Sequence, residues 1–144
     1  MNCKSTGDNI IGYQLKSVMV LICMGLLAFW ATLHSPFLYD DAHAIVENPY
    51  IQNLSDFQEI VGVGNIFNRS VLLLTLAVNR EIGGLDVFGY HLTNVLIHIL
   101  TGLVWYFLVS ELLLLEGPKH RFKGLPLICA SIHLINPLTV QTVT

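Results

Sequence analysis

The 144-residue chain is 53% hydrophobic but only 12% charged, about half the charged share of an ordinary soluble domain. Too few polar side chains remain to clothe a globule in water, so a wholly soluble fold is excluded and the apolar faces are expected to meet lipid. The formal charge of -3 comes with no basic stripe and no interleaved aromatics, which sets nucleic-acid partners aside.

The elements follow from where formal charges fall, since a membrane span needs about 20 predominantly apolar residues. Lys16 and Asp40 bracket the first such run, which predicts a helix over residues 17–34. Lys4 and Lys16 ahead of an apolar run also fit a signal peptide. However, the run is long for one and Ala31-Thr32-Leu33 is a poor cleavage site, so an uncleaved helix is the reading kept. Cys23 in this run and Cys129 in a later one form no disulfide framework or paired metal motif. Both read as small buried hydrophobes.

A long loop at residues 35–89 comes next, carrying only Arg69 and Arg80 against Asp40, Asp41, Glu47, Asp56, Glu59, Glu81 and Asp86. At its start stands Tyr39-Asp40-Asp41-Ala42-His43. Paired carboxylates near a membrane surface suit general-base work by one, with the other binding a cation or positioning a substrate. The plain alternative is a pair of solvated surface acids. Asn48-Pro49 and the 53–56 segment are turn and helix-start signals, and Ser55 is expected to cap a short helix over 56–61. Residues 70–79, uncharged between Arg69 and Arg80, are too few to cross a bilayer and read as a helix at the interface, ended by Gly83-Gly84. Arg69 is suited to gripping a phosphate bidentately, or equally to touching a lipid headgroup.

The second span is expected at residues 90–115, between Asp86 and Glu111. His91, Asn94 and His98 share one face of it, continued by Thr101 and Gly102. Polar groups at that depth avoid lipid and turn toward a bundle or cavity. His91, near the outer end, is the member closest to the acidic pair's side. The third span is expected at residues 124–144, kinked at Pro137, and it reaches the last residue. This leads to the expectation that the chain is the N-terminal part of a larger transmembrane domain. Lys4 and Lys16 before the first span, and Lys119, Arg121 and Lys123 between the second and third, put those segments in the cytoplasm. The acidic loop faces the other side. The fold class is therefore all-α and membrane-embedded, with about three transmembrane helices and short interfacial helices in the first non-cytoplasmic loop.

Residues 37–49, the run Leu73, Thr75-Leu76-Ala77-Val78-Asn79, the segment Gly83-Gly84-Leu85-Asp86 and residues 88–98 together resemble one family in order and spacing. The Gly-Tyr-His-Leu-x-Asn-x-x-x-His run is its most specific part. The family is that of polytopic GT-C glycosyltransferases, the TMTC-type O-mannosyltransferases and their bacterial tetratricopeptide-repeat relatives. The resemblance covers residues 37–141. It implies transfer of a sugar from a polyprenyl-phosphate donor to an acceptor hydroxyl, on a protein or glycan, at the non-cytoplasmic face. Asp40 and Asp41 map onto the catalytic acidic pair: one deprotonates the acceptor, and the other positions it or helps hold a divalent cation. Arg69 and His91 are the substrate-binding candidates, Arg69 at the lipid phosphate.

Two departures stand out. The family's Tyr-Arg-Pro segment is Asn68-Arg69-Ser70 here, and its His-Pro-x-His-x-Glu pattern is Asn136-Pro137-Leu138-Thr139-Val140-Gln141. A non-catalytic membrane anchor or inactive remnant that keeps the fold is therefore the alternative function. A channel subunit built on the intramembrane histidines ranks below both. Asn53-Leu54-Ser55 and Asn68-Arg69-Ser70 are glycosylation sequons only in a eukaryote. The short, simple loop favours a bacterial inner membrane, with the endoplasmic reticulum as alternative.

Overall fold

A computed structural model describes residues 3–37, 41–52, 70–115 and 124–136. Helix α1 spans Cys3–Ala28, α2 Ser70–Gly83, α3 Val87–Leu115 and α4 Leu125–Ile135. Short 3-10 turns at Trp30–His34 and Pro49–Ile51 and a single π turn at Ala42–Val46 lie between α1 and α2. The described residues contain no strand, as the all-α expectation requires.

Of these helices, α3 is long and apolar enough to cross a membrane by length and composition. Its 29 residues reach about 43 Å at roughly 1.5 Å per residue, against a hydrocarbon core of about 30 Å. Leu100, Val104, Phe107 and Leu108 stand exposed along it, where a water-soluble core helix would hide them. Gly12–Ala28 of α1 and Leu125–Ile135 are apolar but shorter. Among the described residues the structure thus gives one candidate span where the charge pattern predicts three, and the third expected span, 124–144, is described only as far as residue 136.

The helix limits differ from the charge-bounded runs for physical reasons. α1 begins at Cys3, well before Lys16, because a lysine marks where a helix leaves apolar surroundings, not where helical hydrogen bonding stops. α4 stops at Ile135, with Asn136 in an extended conformation (ψ 121°). A residue before proline is driven out of the helical region, which ends α4 at Ile135; the kink expected at Pro137 itself falls outside the described residues. Residues 137–144 and the segment 116–123 lie outside the described residues, as does the helix expected over 56–61.

The chain divides into two compact units, Met1–Thr32 with Thr93–Thr144, and Leu33–Leu92. In the first, Leu21, Tyr106, Ala130 and Leu134 form the buried centre, flanked by Val18, Met24, Leu103 and Leu127. Glycines permit close approach at two points. A methyl group on Gly102 would lie 2.7 Å from Leu134 Cδ2, and one on Gly25 would lie 2.5 Å from Ile99 Cγ1. Small residues at such contacts let helix backbones come together where no hydrophobic drive from water acts. Cys23 is exposed, not buried; its side of α1 lies uncovered by protein.

In the second unit, Ile45, Ile51, Leu73, Ala77 and Tyr90 pack together with Phe37 and Leu76. The Phe37 ring meets Tyr90 edge-on at 5.5 Å. Leu73 and Ala77 recur one helical turn apart, so α2 lays one face on the turn at Pro49–Ile51. That turn is set by Asn48, whose Oδ1 accepts from the Tyr50 amide at 3.0 Å and whose Nδ2 donates to Ala44 O at 3.0 Å. α2 ends where expected: Gly84 adopts φ 64°, a left-handed conformation that glycine takes without strain. The Tyr90 hydroxyl donates to Gly84 O at 2.9 Å, and Asp86 Oδ1 accepts from the Phe88 amide at 3.1 Å, capping α3.

Candidate functional site

The acidic turn, α2 and the first residues of α3 all belong to the unit Leu33–Leu92. Asp41 is half-buried and opens directly into the π turn Ala42–Val46. A π turn is a single widened helical turn, and such insertions are frequent at functional sites. Asp40 and Arg69, the other members of the predicted donor-and-acceptor site, lie outside the described residues.

His43 turns away from a catalytic role. It is exposed, and its Nδ1 lies 2.8 Å from Glu47 Oε2 one turn on. Exposed pairs of this kind are solvated surface contacts that contribute little.

His91 is the better-built member. It is only 4% exposed, and its Nε2 lies 3.0 Å from Ser35 O. A carbonyl oxygen can only accept, so Nε2 carries the proton and donates. Nδ1 is buried and has no hydrogen-bond partner among the described residues. A neutral His91 therefore presents a lone pair at Nδ1, able to accept from a hydroxyl.

The rest of the polar stripe divides. His98 is buried, and its Nε2 donates to Leu134 O at 3.1 Å. Its ring meets Phe29 at 5.2 Å and His133 at 5.3 Å, which makes it part of the helix packing of the other unit. Asn94 is half-buried, while Thr101 is exposed and donates its hydroxyl to Ile97 O at 2.9 Å. Thr101 sits about 80° off the His91–His98 direction at roughly 100° per residue, which explains why Gly102, and not Thr101, continues the buried face.

Among the described residues no three His, Cys, Asp or Glu come together; there Asp41 stands at the head of the turn while His43 and Glu47 engage each other.

Arg80 is the residue that sequence reasoning passed over, treating it only as a boundary of an apolar run. It is half-buried, and its guanidinium donates to Ile45 O in the π turn at 2.9 Å. The signal was present in the helical period: Arg80 lies three residues after Ala77 and seven after Leu73, on the same face of α2.

The chain shares 32% identity over 127 residues with the human protein O-mannosyl-transferase TMTC2, covering 80% of this chain and 15% of that protein. It is similar to protein O-mannosyl-transferases. A nematode relative, protein O-mannosyl-transferase F38B6.6 of Caenorhabditis elegans, is 25% identical over 109 residues, covering 68% of this chain and 16% of its own length. A Xenopus laevis tmtc2 of the same description is 35% identical over 92 residues, covering 56% of this chain and 11% of its own. The chain therefore spans about one-sixth or less of these curated relatives. No family model matches the chain, and no solved structure matches it.

Proposed function

We propose that this chain is part of a multi-pass membrane glycosyltransferase. It carries the acidic-pair portion of a site that moves a hexose, mannose by the names of the relatives, from a polyprenyl-phosphate donor to a hydroxyl of a protein or glycan acceptor. The observation that carries this reading is the 32% identity with an O-mannosyl-transferase across 80% of the chain. The long apolar α3 supports it. Asp41 at the head of the π turn and the adjacent Asp40 are the acceptor-activating and acceptor-positioning pair, His91 accepts a substrate hydroxyl at Nδ1, and Arg69 meets the donor phosphate. Nucleophilic oxygen gains its charge as the proton passes to a carboxylate, and the lipid phosphate leaves with the electrons of the glycosidic bond. The first, second and third spans expected over 17–34, 90–115 and 124–144 then place this loop outside the cytoplasm. The animal sources of the relatives support an endoplasmic reticulum membrane over a bacterial inner membrane.

The test is a chimera in which this chain replaces the aligned segment of the human relative. Membranes are assayed for mannose transfer from polyprenyl-phosphate mannose to a hydroxyl acceptor. The expected result is transfer by the chimera and a fall of at least about 100-fold on Asp41→Asn or Asp40→Asn at unchanged expression, the order of magnitude of a general-base contribution. Full activity in both variants removes the pair from the site.

One observation favours a second reading, a non-catalytic membrane protein of the same fold: residues 136, 139 and 141 are Asn, Thr and Gln, all neutral. The same chimera decides. An inactive chimera that regains transfer on combined Asn136→His, Thr139→His and Gln141→Glu identifies this chain as a degenerate copy.

A further inference from the structure

Ile45 O sits four residues before Pro49, so in helical continuation it would look to an amide that proline does not have. The next amide, of Tyr50, is committed to Asn48 Oδ1 at 3.0 Å. Arg80 fills the gap by donating one guanidinium N–H to Ile45 O at 2.9 Å. This contact satisfies the carbonyl but, because the acceptor is neutral, does not itself match the charge of Arg80. Among the described residues the ion pair is His43 with Glu47, and no carboxylate comes within ion-pair distance of Arg80. A guanidinium has five donors in a planar fork, of which one is engaged by Ile45 O among the described residues. The side chain is half-buried, on a helix whose outer face shows Val71, Leu72, Val78 and Ile82. A cation held at an apolar boundary without a counter-charge is costly unless an anion joins it. Tethering by its own N–H to Ile45 O fixes the fork beside the turn that Asp41 opens.

We propose that Arg80 is a phosphate-binding residue, and that its partner is the phosphate of an amphiphile lying along α2. The fork matches phosphate oxygens bidentately. The phosphate has two sources of the same chemistry, a polyprenyl phosphate, which rests on the function proposed above, or a bilayer lipid headgroup. Arg80 is then a second cation for the phosphate, placed by the fold against the acidic turn.

The experiment uses the full 144-residue chain in dodecyl maltoside micelles, which contain no phosphate, and measures equilibrium binding of polyprenyl monophosphate, phosphatidic acid and uncharged polyprenol. Arg80→Gln is expected to weaken phosphate-bearing ligands at least about tenfold, Arg80→Lys by less because it keeps the charge while losing the fork, and neither to change polyprenol binding. The double variant Pro49→Ala, Arg80→Gln separates binding from folding, since Pro49→Ala supplies a backbone N–H for Ile45 O. It is expected to keep wild-type helicity and thermal midpoint while phosphate binding stays lost. Recovery of binding in the double variant, or unchanged binding in Arg80→Gln, overturns the proposal. Equal, Arg80-dependent uptake of phosphatidic acid and polyprenyl phosphate upholds phosphate binding but assigns it to bilayer lipid. Arg80-dependent preference for the polyprenyl ligand upholds it together with the donor reading.

Discussion

Replacing Gly102 by alanine puts a methyl carbon 2.7 Å from Leu134 Cδ2 and 2.8 Å from its Cγ. Carbon atoms in contact prefer about 3.5–4.0 Å, so either α4 retreats by roughly 1 Å or the Leu134 side chain leaves its place. It has nowhere open to go, being 0% exposed among Leu21, Tyr106 and Ala130. Overpacking of this kind costs about 1–3 kcal/mol. A retreat of that size also stretches the His98 bond to Leu134 O from 3.1 Å beyond hydrogen-bonding range, a further cost of about 1 kcal/mol. Alanine recovers about 1 kcal/mol through its better helix propensity. The net expectation is a loss of about 1–3 kcal/mol, measured as reversible unfolding of the purified chain in mixed micelles titrated with dodecyl sulfate. Leu134→Ala alone should cost about 2–5 kcal/mol by opening a cavity. The double variant should cost clearly less than the sum, because the new methyl occupies the vacated space; a coupling of at least about 1 kcal/mol is expected. A Gly102→Ala protein more stable than wild type, or strict additivity in the cycle, refutes the close contact.

Two smaller expectations use the same unfolding assay. Gly84→Ala forces a side chain into φ 64° and should cost about 1–2 kcal/mol, whereas Gly12→Ala, with nothing within 4 Å of the added methyl, should be neutral or stabilise by up to about 1 kcal/mol. Asp86→Ala removes the carboxylate that accepts from the Phe88 amide at 3.1 Å and should cost about 0.5–2 kcal/mol, while Asp86→Asn should hold most of it.

Residue chemistry with local punctuation was the most readable part of the sequence. The helix at Ser70–Gly83 and its glycine stop follow from an apolar run ended by Gly83-Gly84, and the buried stripe of α3 follows from the spacing of His91 and His98. Formal charge read less well. It treated Arg80 only as the edge of an apolar run, although Arg80 lies inside α2, because an arginine can stay on a buried helical face when a carbonyl receives it. It also set the start of the first helix at residue 17, although α1 begins at Cys3. Of the candidate site, Asp41 and His91 were legible as residues, but the tautomer of His91 was not, since it depends on Ser35 O, 56 positions away in the chain. Arg80 was missed for the same reason: its importance lies in Pro49, which deprives Ile45 O of an amide.

The capture of Leu134 O by His98 carries a consequence for heredity. The extended residue before Pro137 ends α4, and a side chain on another helix donates to Leu134 O in that last turn. Positions 98 and 137 are in this way debtor and guarantor. A lineage that exchanges Pro137 for a helix-forming residue releases position 98 to drift toward leucine or valine, and one that first loses the donor at 98 is driven to extend α4. In a set of natural variants, substitutions at these two positions are expected to arise together, in a chain that otherwise gives them no contact in sequence.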